Sequence, residues 1–180
     1  SIFITTILKE TMIRKAEKTD LIIIKKITDA CTQNLIDQNI FQWNKEYPSL
    51  ATFEKDIKEE VLYVYIDKIK IVGCIMFSEE KDPHYNNVKW ITPDGHNLYI
   101  HRLAVHPKNQ KQGIGRKMMD FAENFGKEKG MKSIRLDTFS QNPRNIKFYR
   151  ERGYKKLGDV YFSKQSKDPF HCFEKLIKRI

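Results

Sequence analysis

The stretch "QKQGIGR", residues 110–116, sets two glycines, Gly113 and Gly115, among amide and cationic side chains. Glycines leave backbone N–H groups unshielded, and Lys111 and Arg116 add positive charge, so the chemistry this run suits is the binding of a phosphate or another anion. That reading gains weight if a helix starts here, because the first N–H groups of a helix have no internal partners and carry the positive end of its dipole. Two better-known phosphate loops do not fit. Gly-x-x-x-x-Gly-Lys-Ser/Thr is absent, and Gly-x-Gly-x-x-Gly fails because Met118 stands three residues after Gly115. Taken alone, a Gly-x-Gly near a helix start is equally compatible with a plain turn. A second candidate for chemistry is His101, whose side-chain type titrates near neutrality, although a histidine in a strand more often serves structure.

The elements that must position these residues follow from hydrophobic period and turn signals. "MIRKA" reads as a first strand, and Thr19 and Asp20 are placed to cap a helix that presents Leu21, Ile24, Ile27, Cys31 and Leu35 on one face. Ser49 or Thr52 starts a second helix that ends near Glu60, and "VLYVYI" with "IVGCIMF" forms a hairpin around residues 67–70. "LYIHRLAV" is a strand, on which alternation puts Tyr99, His101, Leu103 and Val105 on one face. After Gly113 comes a helix with Ile114, Met118, Phe121, Ala122 and Phe125 as its apolar stripe, ended by Gly130. "KSIRLDTF" is a strand, "PRNIKFYRERG" a short helix, and "YKKLGDVYF" with "PFHCFEKLI" an antiparallel closing pair. The long polar run between residues 78 and 97, marked by Pro83 and Gly95, reads as a functional loop.

Strand, glycine loop and helix, followed about 30 residues later by "NPRNIKFYRERGY", make the weak signal specific. With "QKQGIG" matching Gln/Arg-x-x-Gly-x-Gly/Ala after "LAVHP", the chain resembles the GNAT superfamily of acyl-CoA-dependent N-acetyltransferases. The resemblance implies an α/β fold with a mixed, mostly antiparallel central sheet of six to seven strands and about four helices. It assigns the coenzyme A pyrophosphate to Gln110, Lys111, Gln112, Gly113, Ile114, Gly115 and Arg116, and the pantetheine arm to the backbone of Leu103, Ala104 and Val105. Asn142, with Asn145 and Phe148 on the following helix, falls among the cofactor contacts, and Tyr149 matches the tyrosine held to protonate the departing thiolate. Asp137, five residues before Asn142, stands where some relatives carry an acidic base; the same resemblance marks position 99 for an acid, where this chain has Tyr. Asp137 and His101 therefore both stay open as the base. The acceptor is expected between the first two helices and under the long loop, with Trp43, Tyr47, Tyr85 and Trp90 as walls and Glu46, Glu79, Glu80 or Asp82 as anchors for a cationic amine.

Composition narrows the partners. With 180 residues, 40% of them hydrophobic, the chain suits one domain over 12–180 preceded by an N-terminal extension or extra strand over 1–11. No apolar run reaches the roughly 18 to 20 residues that cross a bilayer, so a soluble protein with no membrane partner is expected. Cys31, Cys74 and Cys172 are scattered and odd in number, which argues against a disulfide framework or a metal set and for a reducing, cytoplasmic setting. The net charge of +10 attracts polyanions, but a phosphorylated cosubstrate accounts for the local part of it, so nucleic acid is not the expected partner. The expected activity is direct transfer of acetyl from acetyl-CoA to a small-molecule primary amine, with no metal and with a homodimer admissible. The alternatives are an acyl-CoA-binding sensor and an acetyltransferase acting on protein N-termini or lysines.

Overall fold

A computed structural model describes residues 11–178; the extension expected over 1–11 lies outside the described residues except for Thr11. The chain runs β1 (Thr11–Lys15), α1 (Leu21–Asp37), α2 (Leu50–Lys58), β2 (Leu62–Asp67), β3 (Lys70–Ser78), β4 (Asn97–Val105), α3 (Ile114–Glu128), β5 (Ser133–Phe139), α4 (Pro143–Glu151), β6 (Lys155–Val160) and β7 (Phe170–Leu176). These strands form one sheet in the order β1-β2-β3-β4-β5-β7-β6, parallel only where β4 meets β5. It is the mixed, mostly antiparallel sheet with four α-helices that the sequence predicts.

Local signals explain most boundaries. Ser49 caps α2 by accepting the Thr52 N–H at 3.1 Å, and Gly130, at φ 70°, follows the end of α3. The cap expected for α1 differs. Asp20 stands before the helix, but its carboxylate turns back to accept from the Glu17 N–H at 2.8 Å and from Arg14 at 2.7 Å, because an arginine on β1 outcompetes the helix N–H groups.

The helices sort onto the two faces of the sheet. On one face α1 and α2 bury Ile24, Ile27 and Phe53 against Leu62, Val64 and Cys74; on the other, α3 and α4 bury Met118, Ala122 and Tyr149 against Ile75, Leu98 and Leu136. The long run after β3 folds onto the first face beyond the reach of α1 and α2, where Tyr85 joins Tyr99, Phe139, Phe170 and Cys172 in a third cluster.

Two irregularities open this sheet. The β4–β5 pairing covers only residues 97–99 against 133–135, so the two strands part beyond Tyr99 and Arg135. Within β4, Met76 lies opposite His101 but Cys74 opposite Ala104, so Arg102 and Leu103 together face one residue of β3. This is a bulge, with Arg102 at φ 51°. An extra residue inverts the alternation that follows it. Tyr99 packs on the first face with Tyr85, whereas Leu103 and Val105 pack on the α3 face, so the single shared face expected for Tyr99, His101, Leu103 and Val105 does not exist.

Candidate active site

The glycine loop does stand on a helix N-terminus. Gly113 is the residue before α3 and has φ 78°, and Lys111 is also left-handed at φ 65°. Positive φ at both positions curls the loop onto the free N–H groups that open α3, and a helix N-terminus of this kind suits an anion. At Gly115 a Cβ would meet only Val105 at 4.0 Å, so packing does not demand glycine there. Lys111 and Arg116 are exposed, and Arg144 of α4 reaches across to Gln110 at 3.2 Å.

This loop lines a cavity of about 920 Å³ that also touches Leu103, Ala104, Val105, Gly113 to Arg116, Asn142, Asn145, Phe148 and Tyr149. His106 donates to Val72 of β3, so alternation turns the backbone of Val105 and Leu103 away from β3 and into the opening. The Val105 carbonyl is already engaged there, by the Gln110 amide at 3.0 Å and the Cys31 thiol at 3.1 Å. Asn142 is buried and committed at both ends: it caps α4 by accepting from the Asn145 N–H at 3.2 Å, and it donates to Gln42 at 3.0 Å. It thus fixes α4 to the segment between α1 and α2.

A second cavity, of about 500 Å³, lies toward α2 and the long loop, and Gln42, Trp43, Leu103, Asn145 and Tyr149 border both. Asp137, Thr138, His101 and Arg102 line this second space. Arg102 forks onto Asp56 of α2 at 2.7 Å and 2.7 Å and donates to the Tyr47 hydroxyl at 3.1 Å, which ties the bulge to the helix beside it.

Titration separates the two candidate bases. Burial lifts Asp137 to about 6, against the pull of a hydrogen bond from the Tyr85 hydroxyl. Burial, aided by nearby Arg102, presses His101 down to about 4, so it is neutral at physiological pH and a weak acceptor. Tyr149 is buried and its phenol is pushed well above its ordinary value by desolvation and then by the Asp137 charge, which keeps it protonated. Asp137 and Tyr149 belong to opposite faces of the sheet and approach one space through the gap between β4 and β5.

Several acceptor walls move. Trp43, Tyr47, Glu80 and Asp82 border the second cavity, but Tyr85, Trp90, Glu46 and Glu79 do not. Trp90 instead covers the guanidinium of Arg135 at 4.6 Å, and Tyr85 is sealed behind Asp137. Tyr99 is likewise structural, accepting from Arg135 at 2.8 Å. Sequence reasoning missed Gln42, Arg144, Arg102 and Asp56. The first two carry no motif, and the last pair is 46 residues apart, joined only by the fold.

Residues 28–154 match the model of the acetyltransferase (GNAT) family, and the chain belongs to that family. Among curated proteins it resembles the N-acetyltransferase YesJ of Bacillus subtilis (strain 168), itself uncharacterized, with 34% identity over 86 residues. That match spans 47% of this chain and 44% of YesJ, less than half of the relative. Among solved structures, a GNAT-family acetyltransferase from Streptococcus agalactiae 2603 superposes with TM-score 0.83 at 18% identity, over 95% of this chain and 98% of that one. The PaiA N-acetyltransferase of Thermoplasma acidophilum, solved in complex with coenzyme A, gives TM-score 0.66 at 20% identity over 92% and 98%. Among the described residues no helix is long and apolar enough to cross a membrane.

Proposed function

We propose that the chain is a cytoplasmic enzyme that transfers acetyl from acetyl-CoA to a small primary amine by direct attack within a ternary complex. The observation that carries this reading is the meeting of two cavities at Tyr149, one floored by an anion-binding helix N-terminus and the other bordered by a carboxylate with its proton affinity near neutrality. Family membership and a CoA-bound neighbour of the same fold support the donor. The acceptor side carries five acidic residues, Asp56, Glu59, Glu80, Asp82 and Asp137, against Lys55, Lys81 and Arg102, an inversion of the chain's overall charge that favours a cationic amine.

Acetyl-CoA supplies the acetyl group as a thioester. The loop over 110–116 receives the pyrophosphate, and the backbone of residues 103–105 receives the pantetheine arm. Asp137, ionised above pH 6, takes a proton from the acceptor's ammonium, directly or through water, and leaves the nitrogen lone pair free to attack the acyl carbon. Tyr149 gives its hydroxyl proton to the sulfur as the carbon–sulfur bond breaks. The proton shed by the new amide nitrogen returns to Tyr149 through solvent, and Asp137 releases the proton it took from the ammonium to water, so product amide, free thiol and one proton leave a restored enzyme. Among the described residues the one thiol that lines the cofactor cavity, Cys31, is held protonated by burial, with its pKa pushed up to about 12, which favours direct attack over an acyl-enzyme.

The test is binding of acetyl-CoA by calorimetry, together with CoA release across a panel of amines and peptides. Absence of binding sinks the reading, and binding without release by any acceptor favours a sensor. Gly113→Val forces a β-branched residue to φ 78° and should weaken acetyl-CoA binding by tenfold or more in the calorimeter, a loss of about 1.4 kcal/mol or more. Tyr149→Phe should instead leave calorimetric binding nearly unchanged and lower kcat by about 10²-fold. Equal turnover in the variant and the parent would remove Tyr149 from the mechanism.

A further inference from the structure

We propose that Tyr85 is a positioning residue for Asp137, delivered by the long loop to fix the carboxylate's orientation and support its proton-accepting form. The inference rests on the reading of Asp137 as the base. Tyr85 is fully buried, and its hydroxyl donates to Asp137 Oδ2. Among the described residues no other group donates a hydrogen bond to that carboxylate.

The donor is itself held from several sides. Its own N–H donates to the Asp82 carbonyl at 2.9 Å, and the Trp90 indole N–H donates to its carbonyl at 3.1 Å. Its ring lies 5.2 Å from Trp90, 5.9 Å from Tyr99 and 5.9 Å from His101, centroid to centroid. Farther along the loop, Ile91 and Thr92 are fastened to the buried carboxylate of Glu174. A phenol so constrained has few orientations to choose from, and the one it adopts faces the carboxylate.

Beside Tyr85, the groups that act on the Asp137 charge are Asp82 and His84 from the loop and Arg102 from β4; Tyr149 of α4, Cys172 of β7 and Tyr47 of the segment before α2 feel that charge in turn, and His101 lines the same cavity. Most are otherwise engaged. Arg102 is spent on Asp56 and Tyr47, and Asp82 pairs with His84 at 2.7 Å. Burial strips the carboxylate of water and raises its affinity for a proton; the phenol opposes that rise by hydrogen bonding to the charged form. Burial and the adjacent carboxylate also push the Tyr85 hydroxyl well above its ordinary value, so it stays a donor over the working range.

Tyr85→Phe keeps the ring and removes the donor. Titration of the Asp137 carboxyl carbon by NMR, in protein labelled with 13C-aspartate and assigned by difference from Asp137→Asn, is expected to place it near 6 in the parent and about one unit higher in Tyr85→Phe. The acidic limb of kcat/KM, taken with acetyl-CoA and the amine of the panel that releases CoA fastest, should move up with it. At pH 6 this lowers kcat/KM about fivefold relative to each protein's own plateau. Site-specific 3-fluorotyrosine at position 85, a stronger donor in the same space, should move both readouts to lower pH, and this arm stands even if Tyr85→Phe folds poorly. A carboxyl titration unmoved by both replacements overturns the role of Tyr85, while loss of the acidic limb in Asp137→Asn leaves the base reading intact. An acidic limb retained in Asp137→Asn overturns the base reading itself, and the role of Tyr85 in catalysis with it.

Discussion

Asp137→Asn is expected to lower kcat/KM by about 10²- to 10⁴-fold at pH 8 and, at the same pH, to melt several degrees above the parent. The loss follows from the proposed role of Asp137 as the group that frees the amine. The gain follows from linkage. Asp137 has a higher proton affinity folded than its ordinary value of 3.8, so its contribution to stability is fully present below about pH 4 and is lost as pH rises through 6. Above that the fold carries an ionised carboxylate in a poorly hydrated place, at a cost of up to ~3 kcal/mol for a shift of this size. Asn does not ionise and avoids the cost. Melting curves of the two proteins should therefore converge below pH 4 and separate above pH 6. A variant that is inactive but no more stable at pH 8 would mean that Asp137 is not destabilised in the folded state.

The second large effect lies behind the site. Arg135 is fully buried, donating to Asp94 at 2.7 Å, to the Tyr99 hydroxyl at 2.8 Å and to Glu174 at 3.2 Å, under the ring of Trp90. Burial pushes the Glu174 carboxyl up, but hydrogen bonds from Thr92, Ser133 and Ile91 outweigh it and keep the group below its ordinary value, hence charged. Arg135→Met leaves that charge buried without a counter-ion and should cost about 3–5 kcal/mol in urea unfolding. Combining it with Glu174→Gln should recover part of the loss, since the penalty belongs to the orphaned charge rather than to the missing contact. A double variant as unstable as the sum of the two singles would show that the pair is not coupled. Because the same cluster fastens the loop that carries Tyr85, Arg135→Met should also disturb the titration of Asp137.

The strands and the helices of the fold were readable because their signals are local. β2 and β3 are β-branched and aromatic runs around a short turn, and the apolar stripe of α3 repeats at helical spacing beside the Gly113 that precedes it. The turn of loop 110–116 onto the N-terminus of α3 was legible for the same reason, since it is made of adjacent backbone. What was not legible is held by distant partners. "HRLAV" contains no glycine to announce a bulge, and Arg102 adopts φ 51° in a place where Asp56 of α2 grips its side chain. Likewise Tyr85 looks like a loop aromatic open to substrate until β5 brings Asp137 beneath it, 52 positions away in the chain.

The bulge at Arg102 has an evolutionary consequence. By inverting the strand's alternation midway, it lets the first half of β4 and the second half address different molecules, so selection can redraw one set of side chains without passing through the other. On the proposed function, substitutions at Tyr47 or the Glu80 rim, which border the second cavity alone, can retune which amine is accepted while the loop over 110–116 keeps the same donor. Deleting one residue at the bulge would abolish that independence, exchanging faces along half the strand and turning a modular catalyst into one whose two specificities must change together.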